Sequence, residues 1–211
     1  CICCCRVADV VEGRNLMDLY LIRHAPTHRK SMVGWSDVDA DFSDAERFDA
    51  LNAFLPQPGD LVSSDLRRTI GTADRLATGR QRLEHCSDLR EINFGDWELK
   101  TFAEIQETHA EDIRAFYETP GSITAPNGEC WNGFYERVHS GFDELLGHTQ
   151  GPLIAAVHFG VVIAAIQRAL NVSAYEAFSH RIDNLSLTHI RITDGAWDAV
   201  RINDTGPLTN S

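Results

Sequence analysis

Short apolar runs alternate with amphipathic segments along most of this chain, and this alternation is what most restricts its fold. The run Leu153–Val157 is apolar at every position, which is typical of a strand covered on both faces. The pattern of residues 161–170 then indicates a buried helix. Residues 185–192 and 197–202 alternate around an Asp-Gly pair, which predicts an antiparallel hairpin at one sheet edge. We therefore predict an α/β fold, a three-layer α/β/α sandwich with a mainly parallel sheet.

Turn and capping residues place the other elements. Residues 18–23 and 60–63 are predicted strands, and a helix capped by Ser64 is predicted to follow the second of them to about residue 77. Three Ser/Thr-x-x-Glu patterns mark predicted helix starts. They are Ser43 with Glu46, Thr101 with Glu104 and Ser173 with Glu176. The first of these helices is predicted to end near Leu55, before Pro56.

Charge and cysteine usage limit the partners and the compartment. With 19 basic and 31 acidic side chains the formal net charge is −12, which argues against a nucleic-acid groove. No apolar run approaches the roughly 18 residues of a membrane span. Four of the six cysteines lie within residues 1–5, with no second metal-binding pair to match. We expect residues 1–16 to be a non-native or disordered N-terminal extension, residues 17–211 to form a single domain, and the protein to be cytoplasmic, with reduced Cys86 and Cys130.

Several predicted strands end in side chains suited to phosphoryl chemistry. The first strand ends at Arg23 and His24, the second is followed by Arg67, and the buried strand is followed by His158. Carboxyl ends of parallel strands meet at one sheet edge, where ligands bind. Guanidinium groups match phosphate oxygens, and neutral imidazole is a nucleophile. Glu91, in a predicted loop, adds a carboxyl group that can protonate an alkoxide leaving group. Each residue alone is more often a surface or packing residue, so only their convergence indicates a site.

Four segments, in this order, resemble the motifs of the histidine phosphatase superfamily, also called phosphoglycerate mutase-like proteins. They are residues 20–25, 63–73, 89–98 and 157–160. The second segment is similar to Ser-x-Leu-x-Arg-x-x-x-Thr-Ala, and the third to Leu-x-Glu-x-x-Phe-Gly-x-Trp-Glu-Gly. The resemblance implies a phosphoglycerate mutase-like sandwich, and it covers the chain from residue 19 to about residue 170.

The resemblance implies a role for each matching residue. His24 would be the phosphorylated nucleophile and Glu91 the proton donor. The groups that would bind the phosphoryl group are Arg23, Arg67 and His158. The residues that would line the entrance or touch the substrate are Thr27, Gly34 and Trp35. Positions where family members carry glycine are occupied here by Ala25, Phe159 and Lys100, which implies an altered pocket.

The implied activity is that of a phosphatase, a hydrolase acting on phosphoric monoesters without a metal or another cofactor. Its partner would be a small phosphorylated metabolite, with α-ribazole phosphate as a candidate, because compact bacterial family members include α-ribazole-phosphate phosphatases. One alternative is a phosphoglycerate mutase, against which the compact segment between Glu91 and His158 argues. Another is a catalytically silent module that binds phosphorylated ligands, against which the retained His24 and Glu91 argue. The oligomeric state is not predicted.

Specificity would lie in two segments, the loop around Gly34 and Trp35 and the region 102–130, and four aromatic residues lie in or next to them. They are Trp35, Phe116, Tyr117 and Trp131. Two interpretations are open for them: an apolar lid over an aromatic leaving group, or ordinary packing at helical spacing.

Overall fold

The computed structural model describes residues 16–206, so the predicted extension at 1–16 lies outside them except for its last residue, Leu16. The strands are β1 Leu16–Arg23, β2 Asp60–Ser63, β3 Gln81–Arg82, β4 Leu153–Val157, β5 Leu187–Thr193 and β6 Ala196–Asp204. The α-helices are α1 Ala45–Phe54, α2 Arg67–Arg75, α3 Phe102–Glu118, α4 Trp131–His148, α5 Phe159–Leu170 and α6 Ala174–Ala177. Two single turns of 3₁₀ helix, Ser87–Leu89 and Gly95–Trp97, precede α3.

The strands form one mixed sheet in the order β3-β2-β4-β1-β5-β6. The first four strands of that order are parallel, whereas β5 runs antiparallel to both β1 and β6. The hairpin turn places Asp194 at φ 51° and Gly195 at φ 85°, the left-handed backbone that a two-residue hairpin loop requires. The predicted mainly parallel sheet with an antiparallel edge hairpin is therefore confirmed.

Both faces of the sheet are covered by helices. In β4 the side chains of Leu153, Ala155 and Val157 pack into one core cluster with residues of α4 and α5. Ile154 and Ala156, which alternate with them, pack into a second cluster with residues of α1 and α2. This division follows from the two-residue side-chain period of a strand. It confirms the predicted α/β/α layers and explains why β4 is apolar at every position.

Helix starts were predicted less accurately than strands. The capping boxes predicted for α3 and α6 are both present. The predicted capping box of Ser43 and Glu46 is wrong, because the N-cap of α1 is Asp44, whose carboxylate accepts from the Arg47 amide at 3.0 Å. The Ser43 amide instead donates to the Asp41 carboxylate at 2.9 Å, within the turn before the helix.

The start of α2 also differs from the prediction. Ser64 does not cap this helix, whose N-cap is Leu66 and has no side-chain cap. The Ser64 hydroxyl lies in the interior, 2.8 Å from a ring nitrogen of His158. A polar group that the sequence assigns to a helix end is thus part of the buried network at the strand ends. No helix within residues 16–206 is long and apolar enough to cross a membrane.

Candidate active site

His24 follows the last residue of β1 and is held as a neutral imidazole. Its amide donates to the Val157 carbonyl of the neighbouring strand at 2.9 Å. Its Nδ1 lies 2.7 Å from the Ala25 carbonyl oxygen, which can only accept, so Nδ1 carries the proton and Nε2 keeps its lone pair. Burial and, to a smaller extent, the Arg68 guanidinium lower the pKa of His24 to about 3. At neutral pH this side chain is therefore uncharged and able to act as a nucleophile.

His158 follows β4 and lies next to His24, with ring centroids 5.2 Å apart. Its Nδ1 accepts from Arg68 Nε at 3.2 Å, which leaves Nε2 to donate to the Ser64 hydroxyl at 2.8 Å. Burial holds the pKa of His158 well below its usual value, and the Arg68 charge acts in the same direction. His158 is thus a neutral link between the Ser64 hydroxyl, which follows β2, and a buried cation in the first turn of α2.

That cation is Arg68, and not the predicted Arg67. Arg68 is fully buried, whereas the Arg67 side chain is 57% exposed and pairs with Asp37 at 3.1 Å and with Asp39 at 2.9 Å. Adjacent residues of an α-helix point about 100° apart, so a shift of one residue exchanges the interior for solvent. The predicted position of Arg67 in the site is therefore wrong. The Ser-x-Leu-x-Arg spacing, counted from Ser64 rather than from the residue before it, identifies Arg68.

Three hydrogen bonds fix the Arg68 guanidinium. In addition to the His158 bond, Nη2 donates to the Gly34 carbonyl at 2.6 Å and Nη1 to the Ser36 carbonyl at 2.9 Å. A guanidinium has five N–H groups, so these bonds use three of them. Burial lowers the pKa of Arg68 and the nearby Glu91 carboxylate opposes that change, but an arginine remains charged at any working pH. Arg68 therefore presents a fixed positive charge next to the two imidazoles.

Arg23 supplies a second guanidinium at the end of β1. Its Nη1 donates to the Ile182 carbonyl at 2.5 Å, and its Cζ lies 5.6 Å from the centre of the Phe159 ring. Its buried Nε has no hydrogen-bond partner within residues 16–206. An unpaired buried donor costs about 1–3 kcal/mol, and an anionic oxygen in the site would satisfy it. Arg23 thus has a donor available for a phosphoryl oxygen.

Glu91 is a buried carboxyl group that faces the start of α5. Both of its oxygens lie 3.1 Å from the Gly160 amide, and Oε1 also accepts from the Ile92 amide at 3.0 Å. A Cβ at position 160 would lie 2.3 Å from Oε1, so only glycine allows this approach. Burial raises the pKa of Glu91, while these amides and the guanidiniums of Arg23 and Arg68 oppose the rise. The side chain therefore keeps a proton at higher pH than an ordinary glutamate.

Two predicted substrate-binding residues belong to the scaffold of the site. The Glu98 carboxylate accepts from the amides of Gly34 at 3.1 Å and Trp35 at 2.7 Å. It also accepts from the amides of Ser36 and Phe94. Gly34 in turn holds Arg68 through its carbonyl. The Trp35 indole donates to the Glu91 carbonyl at 2.9 Å. Sequence reasoning gave Glu98 no role, although it belongs to the Trp-Glu pair of the third motif; contact of Gly34 or Trp35 with substrate stays a prediction.

Two other residues near the site differ in how well the sequence identified them. The Thr27 hydroxyl accepts from the Arg29 amide at 3.4 Å, and its predicted contact with substrate stays a prediction. Arg137 was not identified from the sequence. Its guanidinium pairs with Glu129 at 2.7 Å and also donates to the Glu91 carbonyl at 3.3 Å. No motif or spacing in the sequence points to this role, which depends on how α4 packs.

The four aromatic residues near the specificity segments divide between packing and surface. Phe116 is 5% exposed and Trp131 is 3% exposed, so both belong to the core. Trp35 is fixed by its indole hydrogen bond. Tyr117 is 37% exposed and remains available to a ligand. The packing interpretation therefore holds for Phe116 and Trp131.

The chain is similar in sequence and in fold to known proteins of one superfamily. The family model of the histidine phosphatase superfamily (branch 1) matches residues 19–205. The adenosylcobalamin/alpha-ribazole phosphatase of Salmonella typhimurium (strain LT2) is 30% identical over 195 residues, which cover 88% of this chain and 91% of that protein. The alpha-ribazole phosphatase structure from Shigella flexneri has a TM-score of 0.78 at 24% identity, covering 92% of this chain and 100% of that one. Bacillus stearothermophilus YhfR has a TM-score of 0.79 at 22% identity, covering 90% and 98%, and so shares the fold. The chain therefore belongs to the histidine phosphatase superfamily (branch 1), as a hydrolase of phosphoric monoesters.

Proposed function

We propose that this protein removes phosphate from a small phosphorylated metabolite through a phosphohistidine at His24. The observation that carries the proposal is a convergence of groups at the carboxyl ends of β1 and β4. A neutral imidazole with a free Nε2 lies beside one buried guanidinium, one partly buried guanidinium and a buried carboxyl group of raised pKa. Phosphoryl transfer needs an aligned nucleophile, stabilised equatorial oxygens and a proton for the leaving group.

The reaction would take place in two displacements. His24 Nε2 attacks phosphorus, the ester P–O bond breaks, and Glu91 gives its proton to the departing oxygen. The Glu91 carboxylate then takes a proton from water as the water oxygen attacks phosphorus. The P–N bond breaks, phosphate leaves and His24 returns to its neutral form. The guanidiniums of Arg23 and Arg68 stabilise the charge on the equatorial oxygens in both steps.

We assign His158 the positioning of Arg68. Its Nδ1 accepts from Arg68 Nε, and its Nε2 is used by Ser64. A direct bond from Nδ1 to a phosphoryl oxygen would require Arg68 Nε to turn away. The binding of the phosphoryl group by His158, implied by the family resemblance, therefore stays a prediction.

We propose α-ribazole phosphate as the first natural ester to test, because the Salmonella and Shigella relatives are named for this activity. The decisive experiment uses ³²P-labelled ester with a chelator present. We expect release of inorganic phosphate and, after a rapid alkaline quench, a protein-bound label that is stable to base and labile to acid, as phosphohistidine is. Conversion of 3-phosphoglycerate to 2-phosphoglycerate faster than phosphate release would identify a mutase instead. Binding of esters without turnover would identify a silent module.

The two adjacent arginines provide a matched test of the site. Replacement of Arg68 by methionine is expected to lower kcat/KM by about 10²-fold, because one fixed donor to the transition-state oxygens is lost. Arg67→Met removes two exposed ion pairs, and such pairs contribute roughly 0–1 kcal/mol each, so the kcat/KM of this variant is expected to stay within about fivefold of the parent value. Both variants are compared on one ester, with thermal unfolding as the control for folding. A larger loss for Arg67→Met than for Arg68→Met would contradict the assignment.

The pH dependence of the first step should reflect both shifted groups. His24 is active when neutral, and its pKa of about 3 keeps it neutral throughout mildly acid solution. Glu91 is active when protonated, so its raised pKa moves the loss of activity to higher pH. We therefore expect the single-turnover rate of His24 phosphorylation to stay level in mildly acid solution down to about pH 4, and to fall as the pH rises through the raised pKa of Glu91.

Rapid-quench measurements at saturating ester isolate this step, because the second ionisation of the free ester, at a pKa of about 6, affects binding. If the rate instead falls as the pH is lowered, with a midpoint near the ordinary histidine pKa, His24 titrates as an exposed imidazole, contrary to its burial.

A further inference from the structure

Four rings form a continuous row from the catalytic groups to the surface of α3. Phe159 lies 6.4 Å from Phe178, Phe178 lies 6.4 Å from Tyr117, and Tyr117 lies 6.4 Å from Phe102, measured between ring centroids. We call these four residues the aromatic row. Phe178 also lies 4.6 Å from the buried Trp131 ring, so the middle of the row is anchored to the core.

Glu91 is related to both parts of this row. Phe159 directly precedes Gly160, whose amide binds the Glu91 carboxylate. Burial and, to a smaller extent, the charge of Glu91 raise the pKa of Tyr117 to about 12, which indicates that the phenol lies within electrostatic range of the same carboxyl group. The row therefore borders the side of the site on which the acid lies.

The position of the acid decides where the leaving group must lie. A general acid works within hydrogen-bond reach of the oxygen that it protonates. The phosphoryl oxygens face Arg23 and Arg68, so the rest of the substrate extends from the ester oxygen on the Glu91 side. On that side it meets the aromatic row, whose innermost ring, Phe159, also lies next to Arg23.

Exposure separates the two outer rings of the row from ordinary core residues, whereas Phe159 and Phe178 are partly buried against the core. Tyr117 is 37% exposed and Phe102 is 46% exposed, whereas Phe116, on the same helix, is 5% exposed. Neighbouring exposed aromatic rings at a site are typical of a ligand-binding surface. Phenylalanine and tyrosine rings offer no cation for a second anionic group, such as the carboxylate of a phosphorylated hydroxy acid.

We infer that the aromatic row is the leaving-group subsite, and that it favours phosphomonoesters of alcohols carrying an aromatic ring. The inference rests on the proposed phosphatase function and adds the class of alcohol that the enzyme accepts. Ring–ring contact in offset or edge geometry would supply the selectivity.

The test compares two esters whose leaving alcohols have similar acidity, 2-phenylethyl phosphate and ethyl phosphate. The measured quantity is the ratio of their kcat/KM values, in which common effects on the phosphoryl step cancel. We expect a ratio of about ten or more for the parent enzyme, the range that extra apolar contact in a pocket gives. Tyr117→Ala and Phe102→Ala are each expected to lower that ratio about threefold to fivefold.

Two further variants separate a ring contact from a general effect. Tyr117→Phe keeps the ring and should keep the ratio. Leu170→Ala removes an exposed apolar side chain at the far end of α5, so both kcat/KM values should stay at the parent level.

A ratio near one for the parent enzyme, or an unchanged ratio in both alanine variants, would overturn the subsite while leaving the phosphatase function in place. Failure to release phosphate from either ester and from α-ribazole phosphate would overturn the proposed function, and the subsite with it.

Discussion

Replacement of His24 by alanine is expected to lower kcat for phosphate release by about 10⁴- to 10⁶-fold, the range seen when a nucleophile that forms a covalent intermediate is removed. The variant loses the Nε2 lone pair that the Ala25 carbonyl leaves free, and with it the phosphohistidine. Labelled ester followed by an alkaline quench should therefore give no protein-bound ³²P. Because His24 is buried, its truncation could also affect folding. Thermal unfolding and phosphate binding are therefore measured on the same sample as controls.

His28 provides the matched control for that variant. Its imidazole is 69% exposed and pairs with Asp41 at 2.8 Å. Because its φ is 54°, asparagine is the suitable replacement, since asparagine tolerates left-handed backbone. His28→Asn should keep near-parent turnover and the labelled intermediate. Substantial turnover by His24→Ala would exclude a phosphohistidine at this residue.

Replacement of Glu91 by glutamine is expected to lower kcat for an alkyl phosphate by about 10³-fold, within the 10²–10⁴ range of general acid catalysis. Glutamine preserves the shape of the side chain and can still accept from the Gly160 amide, but it has no acidic proton to give. With p-nitrophenyl phosphate the leaving group needs no proton, so His24 should be phosphorylated at a rate closer to that of the parent. Hydrolysis of the phosphohistidine still lacks its base, and we expect a burst of about one nitrophenolate per protein before slow turnover.

Glu104→Gln tests whether any glutamate replacement has such effects. Glu104 is the N3 residue of the α3 capping box, a position at which glutamine can replace glutamate. The turnover of the Glu104→Gln variant should match that of the parent enzyme for both esters. Equal losses on both esters for Glu91→Gln, with no burst, would show that Glu91 only supports the structure.

The fold could be predicted from the sequence because strand signals are local. The β4 segment is apolar throughout, and the Asp194-Gly195 pair specifies the hairpin turn between β5 and β6, so neither signal depends on distant contacts. Cap assignments were less certain, because Ser43 and Asp44 are both suitable N-cap residues. The choice between them depends on a turn that uses the Asp41 carboxylate, and the sequence pattern does not contain that bond.

His24 and Glu91 lie together in the interior, as the sequence predicts, because each stands at an element end or in a motif of fixed spacing; their roles as nucleophile and acid stay predictions. Arg67 does not lie with them, because two adjacent arginines match the chemistry equally well and only the rotation of α2 separates them. Trp35 and Glu98 show a further limit. Their side chains hold backbone groups that lie far away along the chain, at Glu91 and Gly34, and no spacing rule reports such pairs.

The long connection between β1 and α1 has no regular secondary structure, yet Glu98 ties several of its amides and Arg68 two of its carbonyls. Its conformational entropy is therefore lost during folding rather than when a ligand arrives. The position of the Arg68 guanidinium, which this connection holds, should therefore be largely fixed before a phosphoryl group binds, and the free-energy cost of ordering it on binding should be small. Inorganic phosphate, the product, would then bind to the same preordered groups, and we expect it to inhibit the enzyme competitively.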